Sequence, residues 1–146
     1  MSEEQQQLLQ RIYNEQQITE SNIGVLQQRI EILQAYLTNY QSGFMVLKEI
    51  EGKKEEEEMM MNVGGNIFVE ARLVNPSKVT RGIGSGVRIE QSLEEAKKAV
   101  QSSIEGLEKQ YQSLSEEYQK LVARASVLSS QFQQLAAKVQ NSPSQQ

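Results

Sequence analysis

Apolar residues recur at alternating three- and four-residue steps through the first third of the chain. The positions are Leu9, Ile12, Gln16, Thr19, Ile23, Leu26, Ile30, Leu33, Leu37, Tyr40, Phe44 and Leu47, and only Gln16 and Thr19 are polar. Such spacing keeps one stripe of a helix turned toward a partner, as in the seam of a coiled coil. The last third repeats it without interruption at Ile104, Leu107, Tyr111, Leu114, Tyr118, Leu121, Ala125, Leu128, Phe132, Leu135 and Val139. At 38% apolar content, that unbroken run would arise by chance in about one of 40,000 trials, so the period belongs to the fold and not to the composition. Ser92-Leu93-Glu94-Glu95 has the form of a capping box and predicts that the second helix starts there, with Ser92 as N-cap and Glu95 at the third helical position. Each helix is expected to run ~45 to 48 residues, or about 70 Å.

Between the two seams the hydrophobic period shortens to two. Gly52 is expected to end the first helix, with a solvated charged connector at residues 53–58. Strands are predicted over residues 59–63, 67–74, 78–83 and 87–91. Gly64-Gly65-Asn66 turns the first pair, Asn75-Pro76-Ser77 links it to the second, and Gly84-Ser85-Gly86 turns the second. The glycine-rich run at 82–86 also invites comparison with a phosphate loop. Such a loop needs a helix N-terminus directly after it, whereas Val87-Arg88-Ile89-Glu90 alternates like a strand and no Gly-Lys-Ser/Thr follows. Gly64, Gly65, Gly84 and Gly86 are therefore read as hairpin residues supplying positive φ.

Ile67, Val69, Ala71 and Leu73 share one strand face, as do Val79 with Ile83 and Val87 with Ile89. Four short strands cannot enclose a core, and their edges stay open to any neighbour. Closing them into a barrel with copies or with a related subunit removes those edges. Residues 52–91 are thus expected to be an oligomerisation module between a helical segment at 1–51 and another at 92–146, giving an α+β architecture: an antiparallel coiled-coil hairpin with two β-hairpins between its helices.

That antiparallel pairing places Leu8, Leu9 and Ile12 opposite Leu135 and Phe132, with Val139 further out. Gln16 and Thr19 fall opposite Leu128 and Ala125, a thin layer expected to be weak. Beyond it the background is Gln, Ser and Asn, and Lys138 is the only charge after Arg124. An apolar stripe in that setting suits loose, sequence-tolerant contact with exposed hydrophobic segments.

Composition narrows the chemistry further. The 146 residues include no His, Cys, Trp or Asp. Without His or Cys there is neither an imidazole-activated nucleophile nor a soft metal site, and glutamate is the only side-chain carboxylic acid. No cofactor, metal or catalytic residue is expected. Consecutive carboxylates such as those at 55–58 point in divergent directions and make a poor cation cage. The net charge of −4, with the six basic residues between Lys53 and Arg88 matched by seven glutamates between Glu51 and Glu90, argues against nucleic acid. The opening "MSEEQQQLLQ" has no apolar core of a signal segment, and no run approaches a membrane span, which together suggest an unsecreted, cytoplasmic chain.

The run from Gly64 to Ala96 resembles the archaeal-type α-class subunit of prefoldin. Matching residues are Gly64, Phe68, Val69, Ala71, Leu73, Lys78, Val79, Gly84, Gly86, Val87, Glu90, Glu94, Glu95 and Ala96. It departs from the family pattern at "MMMNV", where an aliphatic-proline stretch is usual, and at Ser85, where Ala is common. The resemblance implies an ATP-independent chaperone subunit in a hexamer of two α-class and four β-class chains, with two β-hairpins marking the α class. It further implies strands forming a double β-barrel, with coiled-coil tips that hold unfolded polypeptide and pass it to a cytosolic group II chaperonin. In this chain the implied client contacts are Leu8, Leu9, Ile12, Phe132, Leu135 and Val139. The implied assembly surface comprises Ile67, Phe68, Val69, Ala71, Leu73, Val79, Ile83, Val87 and Ile89.

Overall fold

The computed structural model describes residues 2–142. Helix α1 (Glu3–Glu51) leads to strands β1 (Glu58–Gly64), β2 (Ile67–Arg72), β3 (Lys78–Gly84) and β4 (Val87–Ser92), and helix α2 (Leu93–Gln140) closes the order. Both helices contribute to two compact units. One joins α1 up to Gln34 with α2 from Lys109 onward; the other, Ala35–Glu108, holds the rest of both helices and all four strands.

In the first, helical unit the two helices run antiparallel, since Tyr13 meets Phe132 while Glu15 meets Arg124. The predicted seam is the buried one: Ile12, Thr19, Leu26, Leu33 and Leu128 are buried, and every other seam position of this unit is half-buried. The layer expected to be thin encloses Thr19 and Leu128, while Gln16 and Ala125 are half-buried. Thr19 is 6% exposed and Leu128, at 0%, is the most completely buried large side chain described. The reason is local: the Thr19 hydroxyl donates to the Glu15 carbonyl one turn back at 2.8 Å, so its polar atom is satisfied within its own helix and costs little to enclose. α1 opens on a reciprocal cap, with Gln5 N–H donating to Ser2 Oγ at 3.2 Å and Ser2 N–H donating to Gln5 Oε1 at 3.1 Å.

The second unit is organised around Ile50, Met59 and Leu93, where α1, β1 and α2 meet. Val46, Leu47, Met61, Leu73 and Val79 pack against this cluster. Lys97 Nζ meets Glu51 Oε2 at 2.6 Å beside it. Ser92 is both the last residue of β4 and the cap of α2, accepting from Glu95 N–H at 3.1 Å as its capping-box position predicts. No loop separates strand from helix.

The strands form two separate antiparallel hairpins, β1 with β2 and β3 with β4. Both are built alike. A two-residue loop with left-handed φ at each residue, Gly65 and Asn66 (59° and 57°) or Ser85 and Gly86 (52° and 75°), follows a glycine at φ 100° (Gly64) or 110° (Gly84). The register slips by one residue just before each loop, between Asn62 and Gly64 and between Gly82 and Gly84. β2 ends at Arg72, two residues short of the expected strand, because the chain opposite turns away. There Glu56 takes φ 62°, its N–H donates to the Leu73 carbonyl at 2.7 Å, and Leu73 N–H donates to the Glu57 carbonyl at 3.1 Å. Residues 53–57 are therefore a hydrogen-bonded turn, exposed but for the half-buried Lys53, in which Glu57 accepts from Lys54 N–H at 2.7 Å, and the strand starts at Glu58, one residue before the expected position. Asn75 closes the link between hairpins by accepting from Ser77 N–H at 3.1 Å and Ser77 Oγ at 2.7 Å.

Candidate functional site

Two apolar surfaces stand out, one in each unit. The first lies on the hairpins. Register puts Met59 beside Ala71 and Met61 beside Val69, so these four share a face with Ile67. Burial falls along that face from the base, where Met59 is enclosed, to the turn, where Val63, Ile67 and Val69 are exposed. Beyond the exposed Glu58–Arg72 pair, the reverse face carries Met60 opposite Glu70 and Phe68 opposite Asn62, and both apolar side chains are exposed. On the second hairpin Val79, Arg81, Ile83, Val87, Ile89 and Gln91 share one face, and Lys78, Thr80, Arg88 and Glu90 the other. Arg81 Nε donates to Gln91 Oε1 at 2.8 Å on the apolar side.

Of the residues expected to join subunits, Ile67, Phe68, Val69, Ile83 and Val87 are exposed, whereas Ala71, Leu73, Val79 and Ile89 are half-buried within the chain. Leu73 and Val79 already contact the Ile50 cluster. The free apolar area therefore lies toward the hairpin turns.

The second surface is at the end of the helical unit formed by the start of α1 and the end of α2. Of the expected contact residues, Leu8 is 46% exposed, Leu9, Phe132, Leu135 and Val139 are half-buried, and Ile12 is buried. Ile12 thus belongs to the packed seam in this conformation. Tyr13, which the seam pattern passes over because it sits one step outside the stripe, is 47% exposed and stacks at a tilt on Phe132, with ring centroids 6.4 Å apart and planes at 47°.

Two open grooves flank this end. One, of about 450 Å³, is lined by Leu9, Tyr13 and Phe132 with Gln6 and Gln10. The other, of about 460 Å³, runs past Leu8, Ile12 and Leu135 and takes in Arg11, Lys138 and the Arg124–Glu15 pair. The second corrects the sequence-based picture of a nearly uncharged end, because antiparallel pairing brings cations from both helices to one side. Periodicity reports which residues face the seam and is silent on which flanks of two helices come together.

Among the described residues no three acidic side chains converge as a cation site. The glutamates at 57 and 58 are turned apart, toward the Lys54 backbone and the Arg72 side chain. No helix among the described residues is long and apolar enough to cross a membrane.

A family model described as prefoldin subunit matches residues 19–138, which includes both hairpins and both seams apart from Leu9, Ile12, Gln16 and Val139. The chain belongs to the prefoldin family. Its curated relatives within that family include the prefoldin subunit alpha of Methanobrevibacter smithii, 27% identical over 97% of this chain and 96% of the relative. The prefoldin subunit alpha of Archaeoglobus fulgidus is 28% identical over 85% and 88%. Among solved structures, a chain of the filamentous PFD from Methanocaldococcus jannaschii aligns with a TM-score of 0.63 at 24% identity, covering 81% of this chain and 98% of the other. The prefoldin beta subunit of Thermococcus strain KS-1 aligns with a TM-score of 0.58 at 17% identity, covering 87% and 90%. At those identities the two structures attest the shared fold. Prefoldin subunits are components of a chaperone and not a class of enzyme, and their oligomeric assembly accords with the exposed hairpin faces found here.

Proposed function

We propose that this chain is the α-class subunit of an ATP-independent holding chaperone. Its hairpins assemble with β-class subunits, in a hexamer of two α and four β chains, and its helix ends grip non-native polypeptide before passing it to a cytoplasmic group II chaperonin. The observation that carries the reading is the partly open apolar end of the helical unit, where Leu8 and Tyr13 are exposed and Leu9, Phe132, Leu135 and Val139 are half-buried beside two shallow grooves. Shallow, open apolar surface suits many unrelated segments better than one shaped ligand.

Each apolar side chain that a client buries contributes about 1.5 to 3 kcal/mol before ordering costs, so one helix pair holds weakly. Several pairs on one body hold by raised effective concentration. Removing residues 1–14 and 131–146 from the assembled protein is expected to leave the oligomer's mass equal to that predicted for the shortened subunits and to abolish its suppression of aggregation of an unfolded substrate without nucleotide. Replacing Leu9 and Phe132 with Ser is expected to remove part of that protection. Full protection by the truncated oligomer refutes the assignment of the client site to the helix ends. An intact parent oligomer with no protective effect favours a purely tethering role.

A further inference from the structure

The two grooves at the end of the helical unit differ in charge. The one at Leu9, Tyr13 and Phe132 is lined by no ionisable group other than the Tyr13 phenol. In the other, Leu8, Ile12 and Leu135 supply the apolar lining, and Arg11 and Lys138 stand on the same groove from opposite helices. The groove's third cation, Arg124, is neutralised by the groove's sole carboxylate, Glu15, through Nε at 2.9 Å and a second bond from Nη2. Neither Arg11 nor Lys138 has an ion-pair partner among the described residues. The groove therefore presents aliphatic lining with two uncompensated positive charges, although the chain as a whole carries −4.

We propose that this groove selects extended client segments in which an aliphatic side chain is flanked by carboxylates, while the opposite groove takes neutral apolar or aromatic segments. The inference rests on the client-holding reading and adds a selectivity to it. The aliphatic residue lies along Leu8, Ile12 and Leu135, and the flanking carboxylates meet Arg11 and Lys138. Arg11 offers a planar fork of donors and Lys138 a mobile ammonium, so the pair tolerates varied spacing between the acids. Basic segments are disfavoured there by like charge.

The test uses the assembled full-length protein and three labelled unstructured peptides that share one aliphatic core, flanked by Glu, by Gln or by Lys, with binding followed by fluorescence anisotropy. At low salt the Glu peptide is expected to bind about three- to tenfold more tightly than the Lys peptide, the range expected for two exposed ion pairs. The ratio is expected to fall toward one at about 1 M salt, where the screening length is about 3 Å. In Arg11→Gln/Lys138→Gln the ratio is expected to collapse at low salt as well. Because these substitutions sit on exposed positions, circular dichroism and oligomer mass serve to show that the fold is retained, and Lys120→Gln, at an exposed cation that lines neither groove, is expected to keep the ratio. Equal binding of the Glu and Lys peptides by the parent, or an unchanged ratio in the double variant, overturns the proposal. The Gln peptide separates this from the underlying reading. If it binds and is lost on truncating the helix ends while the ratio stays at one, client holding stands and charge selection falls. If it survives truncation, the client site itself is misplaced.

Discussion

The two β-hairpins share a backbone and differ in what they ask of their surroundings. Each has a seven-residue strand followed by a six-residue one, the same one-residue slip, and the same pair of left-handed loop residues after a glycine at φ 100° or more. Their faces are not alike. The second hairpin is amphipathic, with Lys78, Thr80, Arg88 and Glu90 turned away from its apolar side, so cover on one face satisfies it. The first places Met60 and Phe68 on its reverse face and needs cover on both. Turn geometry is decided by a few residues at the loop, whereas the number of neighbours a hairpin requires is decided by the residues between its turns and its base. We propose that the first hairpin is accordingly the more deeply enclosed of the two once subunits assemble.

The largest expected effect is on the apolar faces that both hairpins share. Val69→Asp with Val87→Asp places carboxylates on exposed positions that assembly would enclose, at a cost of several kcal/mol for each one left unpaired. Sedimentation should show loss of the oligomer, while the helical circular dichroism signal largely survives. A double variant sedimenting with the parent's mass would show that these faces do not form the interface.

A smaller effect separates the hairpins. Phe68→Ser on the first should weaken assembly by about 1.5 to 3 kcal/mol if a neighbouring subunit covers its reverse face, whereas Thr80→Ser at the polar reverse face of the second should stay within about 0.5 kcal/mol. The dissociation midpoint on dilution measures both. Equal, negligible shifts would remove the distinction between one-sided and two-sided cover.

The smallest effect should be the same in both. A Cβ added at Gly64 or Gly84 would meet no atom within 4 Å, so Gly→Ala at either position is opposed only by its positive φ. Each should cost about 1 to 2 kcal/mol by denaturant unfolding. A large inequality between them would mean that the two turns are less alike than their dihedrals indicate.

Much of this was legible in the sequence. The Ser92 cap, the two glycine turns and both heptad seams apart from the exposed Tyr40 lie where the residues imply, because each depends on chemistry within a few positions of itself. Periodicity marks a helix face, a hydroxyl before a helix satisfies its first N–H groups, and glycine tolerates positive φ. Other features escaped. Glu56 adopts a left-handed conformation that no local residue preference demands, held by the Leu73 carbonyl seventeen positions away. Thr19 reads as a flaw in the seam, yet its back-bond makes it compatible with burial there.

The sequence by itself determined the elements, their order, the stripe each helix buries and the absence of the residue types that most catalytic sites use. Tertiary structure decided which half of each predicted surface remained free. It drew Leu73 and Val79 toward the Ile50 cluster, left Ile67, Phe68, Val69, Ile83 and Val87 exposed, buried Ile12, and set Tyr13 against Phe132. It also gathered Arg11 and Lys138 on one groove and paired Arg124 with Glu15 across more than a hundred residues. The physical reason is that local pattern specifies a residue's direction relative to its own helix or strand, while burial and charge pairing depend on which flank of another element arrives there, a property that no short window of sequence contains.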